Sequence, residues 1–310
     1  MDDAEIASRF SFATPEDGAM KRAFIHLVEH WTGQPELLRL YMQNRASPIA
    51  GESFFDAALR LLRLNVSYDQ TKLAAAPVTG PVVFVSNHPY GVLDGLVACA
   101  LVHRVRPDFK ILINAILTSP PEMTPHALPI DFREDPVALE TNLRTRAEAR
   151  RHLASGGAIL IFPSGTVSTR ISPFSRKQAG DPAWKPFVSQ LVQRAACPVV
   201  PFCFEGENSW AFHAASHVSV TLRLALLFRE VRNQIGQGMK VHIGEPVPAA
   251  ALAGMGDRHA IAQYLRTLTY SGGGRTPPAQ YGPLLSRRLG LDVPDEWATM
   301  KVPAKLKAAY

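Results

Sequence analysis

At 310 residues, 46% of them hydrophobic and 19% charged, the chain has enough apolar side chain for a full core, in one large domain or two smaller ones, and too little charge for a disordered polymer. Its formal net charge of +6 favours an anionic partner; with no Cys/His zinc spacing and no arginine-rich arm, that partner is expected to be a phosphorylated substrate or an acidic membrane surface, with no nucleic acid. Cys99, Cys197 and Cys203 are scattered and set in apolar surroundings, so they read as core residues of a reducing compartment and not as a disulfide framework or metal site.

Residues 1–18 are polar and acidic and are expected to form a flexible lead, not a secretory signal. Residues 19–65 read as a helical segment. Within it, Phe24, Leu27, Val28 and Trp31 share one helical face, "TGQPE" interrupts the helix, "LLRLY" restarts it, and "ESFFDAALRLLRL" forms a second amphipathic helix. From 66 to 270 strands and helices alternate: "PVVFVSN", "FKILIN", "AILIFPSG", "PVVPFCFEG" and "KVHIGEPV" read as strands, with helices between and after them. This pattern predicts an α/β fold with a mostly parallel central sheet flanked by helices. "VSVTLRLALLFREVRNQ", with Arg223, Arg229 and Arg232, fits either a basic face on an anionic bilayer or a strand-turn-helix in the core; core is the preferred place for most of its leucines. Residues 271–310 are first Gly/Pro-rich and then basic, a tail lying on the domain or on a surface. No apolar stretch approaches the ~20 residues that span a bilayer. If the protein works on lipid, the expected place is the cytoplasm, peripherally on the inner face of the cell membrane.

Two stretches carry chemistry-bearing residues. "VVFVSNHPYGVLDGLVA" brings His88 out at the end of a strand and Asp94 into the first turn of the next helix. A carboxylate there can reach the imidazole N–H, fix its tautomer and raise its basicity. Read blandly, Asp94 caps the helix and His88 belongs to a turn, and the pair alone does not decide. "AILIFPSGTVSTR" opens a strand into a loop whose backbone N–H groups, around Gly165, and whose Ser164, Thr166 and Ser168 hydroxyls suit a phosphate or an oxyanion. An ordinary strand-to-helix turn accounts for it equally.

"NHPYGVLDG", "LPIDFRE", "IFPSGTVS" and "CPVVPFCFEG", in that order and spacing, resemble the four blocks of the glycerolipid (lysophospholipid) acyltransferase superfamily. The likeness is closest to its bacterial hemolysin-like branch, which also supplies the O-acyltransferase half of ornithine-lipid synthases. "LVEHWTGQPELLRLY", "DPAWKPF", "FEGENSWAF" and "VHIGEPV" extend the resemblance over about residues 20–250. It implies an acyltransferase domain over 66–270. His88, oriented by Asp94, is implied as general base on an acceptor hydroxyl that attacks the thioester of an acyl carrier protein or coenzyme A, with no covalent acyl-enzyme and no cofactor beyond that co-substrate. Asn87 and nearby amides are implied as oxyanion donors. Arg133 stands where family members hold an anionic headgroup; a salt bridge to Glu134 or Asp135 is its structural alternative.

The chain departs from the family pattern in three places. Five residues, "PYGVL", separate His88 from Asp94 where better-known members have four, a trait the hemolysin-like branch shares. Ser164 stands in place of the third block's glutamate and Val167 in place of its arginine. Losing that arginine removes a phosphate contact, which disfavours lysophosphatidic acid as acceptor and favours a lyso-aminolipid such as lyso-ornithine lipid, with a lysophospholipid as the alternative acceptor. Arg170, in the next turn, is placed to substitute.

Competing readings are a non-catalytic lipid-binding protein, a thioesterase and a metallopeptidase. "HLVEH", His26 to His30, matches an inverted zinc-peptidase motif, but no downstream glutamate completes it and no metal is expected. A Gly-x-Ser-x-Gly elbow is absent. A pure binder has no need of an oriented base, so His88 with Asp94 favours the enzyme.

Overall fold

A computed structural model describes residues 18–20, 22–23, 33–115, 120–131, 135–277, 281, 283–289 and 291. The "HLVEH" motif, Arg133, most of the lead and the basic end of the tail lie outside the described residues.

After the helical residues 19–20 and 22–23 comes α1 (Gln34–Ala46), entered through Gly33 in the left-handed region with Pro35 in the first turn, where "TGQPE" predicts a restart. In α2 (Phe54–Leu61) the Ser53 hydroxyl caps the Asp56 N–H at 3.1 Å, and Phe55, Ala57 and Leu59 are buried. There follow β1 (Asn65–Ser67), α3 (Gln70–Ala74), β2 (Val82–Ser86), α4 (Val92–Val105), β3 (Lys110–Asn114) and β4 (Ala127–Ile130). The second half adds α5 (Pro136–Ala154), β5 (Ala158–Ile161), α6 (Phe187–Ala195), β6 (Val199–Phe204), α7 (Trp210–Ser216), α8 (Val220–Asn233), β7 (Gly238–Ile243), α9 (Ala249–Ala253), α10 (Arg258–Gly272) and α11 (Pro283–Arg288).

The strands form one seven-stranded sheet in the order β1-β7-β6-β2-β5-β3-β4. Every neighbouring pair is parallel except β6 and β7. The fold is the α/β architecture that the alternating pattern predicts. β2, β5 and β6 are buried at every residue, as parallel strands covered on both faces must be. Side-chain alternation sends Val82 and Phe84 into one core with Phe55, Leu101 and Phe202, and Val83 and Val85 into another with Trp184, Leu191 and Leu265.

Several elements escape the sequence reading. β1 has three residues and no apolar run, and β4 carries Pro129, tolerated because β4 lies at the sheet edge. The segment from Val220 is one continuous helix, not a strand-turn-helix; Ser219 caps it and it buries Arg223, Ala225, Leu227, Glu230 and Val231. Among the described residues no helix is long and apolar enough to cross a membrane.

Candidate active site

β2 and β5 are parallel neighbours, with Val85 opposite Ile161, so their carboxyl ends emerge side by side. The exposed end of a central parallel pair is where open α/β sheets bind ligands. It brings the turn after β2 against the Phe162–Thr166 loop.

The turn holds two groups in register. Asp94, in the first turn of α4, is fully buried; its Oδ2 accepts the Tyr90 N–H at 2.8 Å, and its Oδ1 lies 3.0 Å from Nδ1 of His88. The His88–Asp94 contact has the distance but not the alignment of a straight hydrogen bond, and neither atom has another hydrogen-bond partner. The His88 ring lies over Phe162, centroids 4.2 Å apart. Gly91 makes this turn possible: its φ is +83°, and a Cβ there would come within 2.9 Å of Val167 and 3.1 Å of Leu227.

Asp181, from "DPAWKPF", braces the site from behind. Its Oδ1 accepts the His88 backbone N–H at 3.1 Å and the Ser168 hydroxyl at 2.5 Å, and its Oδ2 accepts the Trp184 indole N–H at 2.9 Å. Burial pushes this carboxyl up, while the Ser168, Trp184 and His88 donors favour its ionised form. The Ser168 N–H in turn donates to the His88 carbonyl at 2.7 Å. In the sequence this block carries a family resemblance only; an acidic residue followed by Pro and, three positions on, by Trp gives no local sign of what it holds.

His88 opens on a cavity of about 1030 Å³. Leu37, Leu40, Phe54, Leu61, Leu96, Leu224, Leu227 and Phe228, from α1, α2, α4 and α8, give it long apolar walls. Thr166, Lys185 and Arg223 are among its polar lining.

The other sequence candidates separate. Gly165, with φ +68°, and Thr166 line the cavity beside His88. Asn87 does not reach it: its amide donates to the Phe204 carbonyl at 3.0 Å and accepts the Phe204 N–H at 2.7 Å, tying β2 to β6. Ser164 is buried within its own loop, donating to the Thr166 carbonyl at 2.8 Å. Arg170 does not stand in for the missing third-block arginine; Glu207 holds it through contacts of 3.1 and 2.5 Å. Burial opposes the charge on Glu207, but the His213 ring 3.4 Å away and hydrogen bonds from Arg170 and the Ala179 N–H outweigh it and lower its pKa to about 2.

A cation that reaches the third block from another element is Arg223, from α8, bonded to Thr166, Val167 and Thr169. A sequence signal exists, since helical spacing places Arg223 on the same stripe as Leu227, Glu230 and Val231, and all four are buried. Among the described residues no three His, Cys, Asp or Glu side chains gather into a metal-binding group.

The family model described as Acyltransferase matches residues 40–273, which take in all four blocks. The chain is 25% identical over 265 residues to a lyso-glycine lipid O-acyltransferase of Phocaeicola vulgatus, covering 80% of this chain and 87% of that protein. It is also 25% identical over 240 residues to a protein of the same description from Bacteroides thetaiotaomicron, covering 73% and 82%. Among solved structures it is similar to the 1-acyl-sn-glycerophosphate (LPA) acyltransferase from Thermotoga maritima, with a TM-score of 0.47 and 14% identity over 88% of this chain and 95% of that one. The two relatives are described by a glycine lipid, not by the ornithine lipid that the sequence reading expects.

Proposed function

The chain belongs to the acyltransferase family, and we propose that it moves a fatty acyl group from a thioester donor to the hydroxyl of a lysolipid, with His88 as general base. The observation that carries the reading is the His88–Asp94 pair, 3.0 Å apart, on the wall of a large apolar cavity. With Nδ1 turned to Asp94, Nε2 is the ring nitrogen left for substrate. It takes the acceptor's hydroxyl proton as that oxygen attacks the thioester carbonyl. The tetrahedral intermediate then collapses, the C–S bond breaks, and the thiol leaves with the proton from His88. Asp94 steadies the transient imidazolium, and its burial keeps that interaction strong. The apolar walls suit an acyl chain. No cofactor is needed beyond the thioester.

The acceptor on this reading is a lyso-aminolipid whose amino-acid headgroup presents a free carboxylate. The descriptions of the two curated relatives, which name a glycine lipid, support an amino-acid headgroup. Lyso-glycine lipid and lyso-ornithine lipid both satisfy that chemistry. The enzyme meets its lipid at a membrane surface. Exposed Phe174 and Trp210 supply an apolar contact there, joined by the Trp210 indole N–H bonded to the Pro173 carbonyl at 2.9 Å.

The test is acyl transfer from acyl carrier protein and coenzyme A thioesters to lyso-glycine lipid, lyso-ornithine lipid and lysophosphatidic acid. Wild type is expected to acylate an aminolipid, His88→Ala to lose at least ~100-fold, and Asp94→Asn at least ~10-fold. Release of free fatty acid without ester product would replace this reading by a thioesterase. Lipid binding with no transfer from either donor would replace it by a binding protein.

A further inference from the structure

Resting on that reading, we propose that the Arg223 guanidinium is the receptor for the acceptor's headgroup anion, the group that selects a carboxylate-bearing lysolipid. Arg223 is only 3% exposed. Its hydrogen bonds go to the Ser216 hydroxyl at 2.6 Å, the Thr166 hydroxyl at 3.3 Å, the Thr169 hydroxyl and the Val167 carbonyl, and its Cζ lies 4.8 Å from the Phe212 ring centroid. All of these partners are neutral. Arg106, equally buried, has Asp108 at 2.8 Å, and Arg170 has Glu207. A charge taken out of water without a counter-ion is costly unless something supplies the opposite charge. Burial pushes Arg223 down to about 10.

The position suits an acceptor. Arg223 lines the same cavity as His88. It grips Val167 and Thr169, on either side of Ser168, whose N–H donates to the His88 carbonyl. The anion site on α8 and the base after β2 are therefore both tied to one short loop. The longest bond, to the Thr166 hydroxyl, is the one that an oxyanion would replace, and Thr166 also lines the cavity. A guanidinium fork matches a carboxylate or a phosphate. The donor also carries phosphate, but a pantetheine arm keeps it an arm's length from the thioester, whereas Arg223 is tied to the loop that holds the base.

The experiment compares wild type, Arg223→Gln and Arg223→Lys on lyso-glycine lipid and on its neutral methyl ester. Donors are acyl carrier protein thioester and acyl-pantetheine, which has no phosphate. Wild type should favour the carboxylate, and Arg223→Gln should lose at least ~30-fold more kcat/KM on the carboxylate than on the ester, with either donor. Arg223→Lys should recover part of the difference. Equal losses on both acceptors would make Arg223 a structural brace, and losses confined to the phosphate-bearing donor would assign it to the donor; either outcome overturns the proposal.

Binding of a lyso-aminolipid lacking the hydroxyl separates this question from catalysis. If wild type transfers nothing, the functional reading fails, but at least ~10-fold weaker binding by Arg223→Gln still upholds the anion site, and equal binding overturns it. If Arg223→Gln fails to fold, the same comparison is made with Arg223→Lys and with the carboxylate against the ester on wild type; equal affinity for the two headgroups on wild type overturns it.

Discussion

The Asp181 carboxylate accepts the backbone N–H of His88 at 3.1 Å, joining two residues 93 positions apart in the chain. The same carboxylate takes the Ser168 hydroxyl and the Trp184 indole N–H, and the Asp181 N–H donates to the Tyr270 phenol at 2.9 Å. His88 is thus held from its main chain by Asp181 and from its ring by Asp94.

Asp181→Asn keeps the volume but turns an NH2 group toward one of these donors, which should cost about 1–3 kcal/mol of stability. Because the variant loosens the main chain under His88, kcat should also fall by about tenfold or more while KM for both substrates changes little. Asp181 is a positioning residue on this account. Unfolding curves together with steady-state kinetics check it, and a lowered melting temperature with wild-type kcat would reduce Asp181 to a packing role.

The Glu207 carboxyl, with its pKa lowered from 4.5 to about 2, makes stability depend on pH. A carboxyl depressed in the folded state stabilises it above the unfolded value, and that stability is lost as the pH falls through the folded value. The linkage amounts to about 3 kcal/mol at most. Glutamine stands in for the protonated acid, so the stability gap between wild type and Glu207→Gln should be widest above about pH 5 and close towards pH 2. Denaturant unfolding at a series of pH values measures the gap directly; a gap that stays constant down to pH 2 would remove Glu207 as its source.

Gly95 lies in the first turns of α4 and lines the cavity, and a Cβ added there meets no atom within 4 Å. Gly95→Ala should therefore stabilise the helix, by about 0.5–1 kcal/mol. Gly95→Leu should fill cavity space and shift the donor preference toward shorter acyl chains. A series of acyl donors of graded length reads the shift. An unchanged length profile would mean that the chain lies elsewhere.

Much of the fold was legible because it is local. The apolar run Val82–Val85, the turn "NHPYG" and the helix after it place His88 and Asp94 within one strand-turn-helix, and no distant residue is needed to bring them together. The alternating pattern likewise carries the parallel sheet. β1 and β4 stayed hidden because three or four residues at a sheet edge give too short a pattern to read.

The sequence by itself determined the α/β class, the four blocks and the histidine–aspartate spacing, all of which follow from short-range periodicity and turn chemistry. Tertiary structure decided which polar side chains face the cavity. Arg170 is drawn aside by Glu207 across 37 residues, Asn87 is taken by Phe204 across 117, and Arg223 enters the third-block loop from a helix more than 50 residues further on. An arginine in a sequence has the same charge and reach wherever it stands. Its role depends on whether the folded chain sets a carboxylate beside it, as beside Arg170, or leaves it among neutral groups on a cavity wall, as it leaves Arg223.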